Sequence, residues 1–244
     1  MAVLILRPFY SISKAQFINI DYFSDASMPL DIPNRVYFAY AFQCRYRKTA
    51  PNVNGNLDDW CSDYLIPDLG FLENRPKAAD IYMAWNDDGL YFAMDVRKRK
   101  PVRSYYNRHW TGDSFQIWLD TRDVKSARRA GRYCHQFNCL PTGGGDDGNQ
   151  PVVKPTQIDR ARERWDMPEA EALPVASLVS DRGYTLEVCL PKETLNGYEP
   201  EEFPRLGFTY FLNNSEWPTQ WWSAGRDLQV HVDPSTWGTA VLSR

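Results

Sequence analysis

Alternation of apolar and polar residues constrains this chain more than any other feature. Across residues 36–46 the side chains of Val36, Phe38, Tyr40, Phe42, Cys44 and Tyr46 fall on one face of an extended strand. Leu90, Phe92, Met94 and Val96 form a second such row. Phe115, Ile117 and Leu119 form a third, with Gln116, Trp118 and Asp120 on the opposite face. Tyr184, Leu186, Val188 and Leu190 form a fourth. A period of two lines up such residues on one side of a pleated strand, whereas a helix would scatter them around its axis.

Turn signals separate these rows. Asn86-Asp-Asp-Gly89, between strands at 80–85 and 90–97, reads as a hairpin. Residues 51–59 read as a turn-rich link, 98–108 as an exposed basic loop, and 122–132 as a charged connection with one helical turn. Residues 133–140 read as a strand, with Gln136 and Asn138 on one side and His135 and Phe137 on the other. Residues 142–155 read as a Gly/Asp-rich loop and 159–171 as a short surface helix. Residues 191–195 look like a strand end followed by a single helical turn, and strands at 206–212 and 238–242 complete the set. Short strands divided by turns predict an all-β chain: a jelly-roll-like β-sandwich of two antiparallel sheets with short helical turns. Residues 51–244 read as the sandwich. Residues 1–50 read as an N-terminal extension or as extra strands of the same domain.

The 244 residues suit one large all-β domain or two small ones, and a hydrophobic share of 43% supports a sizeable core. The net charge of −3 gives no basic surface for nucleic acid or an anionic membrane. No stretch approaches the ~20 apolar residues of a membrane-spanning helix. The first residues, Met1 to Pro8, are apolar but short for a signal-peptide core, and no basic residue precedes them. The simplest expectation is a soluble, cytoplasmic protein. Cys44, Cys61, Cys134, Cys139 and Cys189 match neither a zinc nor a redox spacing. Their odd number suits scattered thiols, or one or two disulfides with a spare. The 9 Trp and 14 Tyr suit a β-rich core, and also a surface on which sugar rings stack.

Six segments in order carry a resemblance. They are Gly55-Asn-Leu-Asp-Asp-Trp60, Trp85-Asn-Asp-Asp-Gly-Leu-Tyr91, Asp113-Ser-Phe-Gln-Ile-Trp-Leu-Asp120, His135-Gln-Phe137, Gly183-Tyr-Thr-Leu-Glu-Val-Cys-Leu-Pro191 and the closing Trp237-Gly238. Together they resemble the family 9 carbohydrate-binding modules and their DOMON-like relatives, over roughly residues 50–244. The resemblance implies a β-sandwich that binds glucan or xylan chain ends without cutting them, with calcium as a structural ion in some members. It also implies two Trp residues clamping a sugar ring. The first corresponds to Trp110, three residues before Asp113. At the second position, just before Asp233-Pro-Ser235, this chain has His231. A Glu of the family pattern corresponds to Gln116, and an Arg to Asn138.

The expected ligand site is therefore Trp110 as the stacking platform, with Gln116, Asn138, Trp221, Arg226 and His231 around it. The expected partner is a glycan or small sugar. Each residue also has a structural reading: Trp110 as a cap on the core, Gln116 and Asn138 as exposed amides kept for solubility, His231 as a structural hydrogen-bonder. Trp221 and Trp222 are adjacent, so one faces inward and the other outward. Asp146 and Asp147, in a glycine-rich loop, are the candidate metal ligands, with calcium the candidate ion, although an oxygen-rich calcium site takes about six to eight donors. No carboxylate pair or nucleophile motif marks an enzyme. Two alternatives to sugar binding remain. One is an interaction module that has lost the sugar clamp. The other is a haem-holding DOMON-type domain, for which Met83, Met94, His109 and His135 are the candidate axial ligands.

Overall fold

The computed structural model describes residues 3–6, 38–223, 225 and 228–244, and within them twelve strands and no α-helix. The strands are β1 (Val3–Leu6), β2 (Phe38–Tyr46), β3 (Ala79–Asn86), β4 (Gly89–Arg97), β5 (Ser114–Asp120) and β6 (Cys134–Gly144). They continue with β7 (Gln150–Thr156), β8 (Val175–Ser180), β9 (Gly183–Pro191), β10 (Arg205–Asn213), β11 (Gln220–Trp221) and β12 (Gly238–Ser243). Only short 3-10 turns interrupt them, one at Lys192–Thr194 where a turn is expected.

Hydrogen bonding runs along one continuous path, β7-β6-β5-β10-β12-β2-β3-β4-β9-β8, with β1 added to β2 and β11 to β10. The expected two separate antiparallel sheets are thus joined. β2 runs parallel to both β12 and β3, and the β2–β3 junction is short, with Arg45 opposite Ala84, Tyr46 opposite Trp85 and the Arg47 amide on the Trp85 carbonyl at 2.8 Å. The path curls until its ends, β7 and β8, approach each other. β1 and β2, both within residues 1–50, belong to this same sheet.

The apolar rows meet inside the curl. Phe92 of β4 stacks on Phe208 of β10 at 6.1 Å and lies 6.3 Å from Phe115 of β5. Leu186 and Val188 of β9 and Ile117 and Leu119 of β5 join the same cluster. Burying each such side chain contributes about 1.5–3 kcal/mol. The outer faces of the central strands are covered too. Trp118 and Phe211 pack at 5.2 Å with Trp237, Val230 and Ile158 outside β5 and β10. Every residue of β5 is therefore buried. Gly238 follows Trp237 because any Cβ there would run into the Trp222 ring.

Three local expectations change. Residues 142–155 form a hairpin rather than a loop, because β6 extends to Gly144 and pairs with β7 across a bulge. Residues 159–171 form no α-helix. Buried Trp165 pins them to the sheet, 4.8 Å from His135 and 5.3 Å from Phe137, and its carbonyl accepts Gln157 Nε2 at 2.7 Å. Strand β8 carries three exposed residues at its end and no clear alternation, which hid it in the sequence.

Candidate functional site

The loop between β4 and β5 presents Trp110, and a buried ion pair holds that loop. Lys98 Nζ donates to both carboxylate oxygens of Asp113 at 2.6 and 2.7 Å, to Ser215 Oγ at 3.0 Å and to the Pro101 carbonyl at 3.2 Å. Asp113 also accepts the Arg103 amide at 2.7 Å. The loop at 98–108 is exposed or half-buried as expected, except for Lys98, which is inside. With its base fixed, the loop turns through Tyr106–Arg108 and projects Trp110, whose surface is 56% exposed.

The sheet beneath supplies a floor in two rungs. One runs Phe211–Gln116–Asn138–Lys154 across β10, β5, β6 and β7. The other runs Thr209–Trp118–Gln136–Thr156 across the same strands. Directly opposed residues share a face, so both rungs point outward from the core. The turn carrying His231 is closed by the Val232 amide on the Gln229 carbonyl and by Trp237 Nε1 on the Val230 carbonyl at 2.6 Å.

These parts enclose a cavity of about 480 Å³, lined by His109, Trp110, Gln116, Trp118, Gln136, Thr156, Gln157, Asp159, Phe211 and His231. The size is that of a small-ligand site. Aromatic surface and uncharged amides dominate the lining. His109 meets Trp110 edge-on at 5.1 Å. Burial, then the charge of Lys154, lowers the His109 pKa against a smaller opposing effect of the Tyr106 backbone, so its imidazole is neutral at neutral pH. Trp118 Nε1 is buried and has no hydrogen-bond partner among the described residues.

Of the expected site residues, Trp110, Gln116 and His231 line this one cavity. Gln116 is almost wholly buried, contrary to its reading as an exposed amide, and holds only long contacts of 3.4 Å to the His109 carbonyl and Ser114 Oγ. Asn138 stands in the same rung as Gln116 but is completely buried. Its Nδ2 donates to Thr156 Oγ1 at 2.8 Å, and it does not line the cavity. Trp221 stands half-buried outside the cavity with the Arg75 guanidinium 3.4 Å over its ring, while Trp222 is the buried member of the pair. Arg226 lies outside the described residues.

Asp146 and Asp147 sit exposed at the tip of the β6–β7 hairpin. Both oxygens of Asp147 already accept from Asn149, at 3.0 and 3.1 Å, and those bonds depress its pKa. No group of three His, Cys, Asp or Glu that could hold a metal ion occurs among the described residues. This donor set falls well short of a calcium site. The haem candidates fit no better. Met83 and Met94 fill the main core, and His135 Nε2 accepts the Asn196 amide at 2.9 Å.

A profile of the carbohydrate family 9 binding domain-like family matches residues 70–244. The chain belongs to this family. Two solved structures of a carbohydrate binding module family 9 from Caldicellulosiruptor kristjanssonii share the family 9 fold. The one in complex with cellotriose gives a TM-score of 0.54 at 16% identity, over 83% of this chain and 93% of that one. The one in complex with glucose gives 0.57 at 15% identity, over 83% and 95%. No curated protein sequence matches significantly. In this family 9 domain, no helix among the described residues is long and apolar enough to cross a membrane.

Sequence reasoning missed most of the lining: His109, Trp118, Gln136, Thr156, Gln157, Asp159 and Phe211. Part of the signal was present. Gln136 and Asn138 share a face, as do Gln116 and Trp118, so a register for β5 against β6 would have delivered Gln136. Gln157 and Asp159 lie in irregular chain, where no periodicity exists to read.

Proposed function

We propose that this chain is a non-catalytic carbohydrate-binding domain that stacks a sugar ring on Trp110. The curled sheet acts as the two layers of a β-sandwich, and the ligand rests on the outer face of one layer. Gln116 and Gln136 meet the sugar hydroxyls from the floor, Trp118 contributes apolar ring surface, and His231 forms part of the wall. The observation that carries this reading is the exposed Trp110 ring at the mouth of a cavity floored by amides and aromatic surface. Apolar ring faces suit the C–H face of a pyranose, and flanking amides pair with its hydroxyls. Membership of a carbohydrate-binding family supports it, as do related structures holding cellotriose and glucose.

A second reading, an interaction module without a sugar clamp, draws on His231 standing where the family pattern carries a second Trp, and on the burial of Asn138. Titration calorimetry with glucose, cellobiose, xylobiose and soluble mixed polysaccharides, with and without calcium, separates the two. Binding that is lost in Trp110→Ala supports the sugar site. A folded wild-type protein that binds none of these glycans would favour the interaction module.

A further inference from the structure

Beside the Trp110 cavity lies a second pocket of about 430 Å³ lined by Arg128, Arg129, Arg160, Gln229 and Val232. The two pockets share their walls in sequence. Asp159 and His231 line the first, and their immediate neighbours Arg160 and Val232 line the second. The two pockets therefore adjoin at residues 159–160 and 231–232, so a glycan extended beyond the ring on Trp110 can run toward the arginines.

The charge of this pocket is one-sided. Three guanidinium groups and no carboxylate line it among the described residues. Arg128 has only a loose pair with Asp233 at 3.7 Å and is largely exposed. Arg129 spends one N–H on the Arg160 carbonyl at 2.9 Å, and the adjacent Asp159 carboxylate accepts the Arg160 backbone amide at 3.0 Å rather than its guanidinium. Such a concentration is unexpected in a chain whose net charge is −3. Guanidinium groups favour planar or multi-oxygen anions, which they bind through paired N–H donors.

The backbone holds this arrangement at some cost. Arg160 and Gln229 both adopt left-handed conformations, with φ of 56° and 51°, which non-glycine residues seldom take. The Arg162 amide donates to the Ala130 carbonyl at 2.7 Å and ties the 128–131 and 160–162 segments together, so the arginines converge from two loops.

We infer that the Arg128–Arg129–Arg160 pocket is an anionic subsite, and that the glycan taken by this domain carries an oxyanion, a uronate carboxylate or a sulfate ester, next to the ring that stacks on Trp110. This rests on the sugar-site reading and narrows its ligand class.

The test is calorimetric titration of the whole chain with cellobiose, with a cellobiose-sized disaccharide ending in glucuronate, with a sulfated disaccharide, and with inorganic sulfate. Each is run on wild type, Trp110→Ala and the double variant Arg129→Ala/Arg160→Ala. Both arginines are exposed, and circular dichroism checks that the variant is folded. The expected result is at least about tenfold tighter binding of a charged than of the neutral disaccharide, an advantage that shrinks with added salt. The double variant should lose that advantage and keep its affinity for any neutral sugar the wild type binds. The carboxylate and sulfate arms identify the oxyanion. Charged and neutral sugars binding equally would overturn the anionic subsite and leave the sugar site standing. Charged sugars binding no better than inorganic sulfate, and indifferently to Trp110→Ala, would sever the pocket from the sugar site and overturn the inference. Binding of no sugar at all would overturn both.

Discussion

The buried carboxylate of Glu187 accepts the indole N–H of Trp60 at 2.8 Å. The same side chain accepts the backbone amides of Asn54 at 3.0 Å and Gly55 at 2.8 Å. Glu187 lies in the middle of β9, and Trp60 ends the turn-rich segment before β3, so one carboxylate fastens that segment to the sheet. Two of the six segments that carry the family resemblance therefore meet at a single side chain.

Glu187→Gln puts an amide where three donors converge, and at least one donor loses its acceptor. The expected cost is about 1–3 kcal/mol of stability, read as a lower urea midpoint. Trp60→Phe removes only the indole donor and should cost less. Equal midpoints for wild type and Glu187→Gln would show that the carboxylate is not what fastens the segment.

Lys98→Met should be more damaging, because it leaves the buried Asp113 carboxylate without its cation. Removing one partner of such a pair costs about 3–5 kcal/mol. The same change frees the loop that presents Trp110, so sugar affinity should fall even where the variant remains folded. Thermal unfolding and calorimetry on one preparation measure both effects.

His135 makes stability depend on pH. Burial lowers its pKa from 6.5 to about 3, outweighing backbone contacts that raise it. Between those values the unfolded chain takes up a proton that the folded chain refuses. The stabilisation is thus complete above pH 6.5 and is lost as pH falls toward 3. The expected slope from this residue is up to about 1.4 kcal/mol per pH unit in that window. Urea midpoints of wild type and His135→Gln across the window should converge toward acid pH. Parallel curves would remove His135 from the account.

Two neighbouring amides should separate binding from folding. Gln136 lines the cavity, so Gln136→Ala should weaken sugar binding by about tenfold and barely move the unfolding midpoint. Asn138 is completely buried outside the cavity lining and bonds Thr156, so Asn138→Ala should cost about 1–2 kcal/mol of stability. The opposite pattern would mean that Asn138 reaches the ligand.

Thiol labelling should follow burial. All five cysteines are free, and Cys61 alone is exposed. Burial pushes the Cys134 thiol up to about 12 and the half-buried Cys189 to about 11, and it raises Cys44 and Cys139 further. A maleimide at neutral pH should modify Cys61 quickly and the other four only on unfolding, as counted by mass spectrometry. Rapid labelling of Cys44 or Cys139 would show that the core opens.

The long alternating strands, and which of their faces point inward, were legible in the sequence. Alternation is a local property, and the rows at Leu90–Phe92–Met94, Phe115–Ile117–Leu119 and Leu186–Val188–Leu190 all reach the core. The family resemblance also marked Trp110, Gln116 and the distant His231, which share one cavity. The tertiary structure alone decided the rest. Gln116 and Asn138 have the same polarity and stand opposite each other, yet one lines the cavity and the other is shut off from it. That difference depends on the loops lying over the sheet. The arginines at 128, 129 and 160 likewise look like ordinary surface charge in the sequence. They become one pocket only because two irregular segments without periodicity fold against each other, and contacts of that kind leave no local pattern to read.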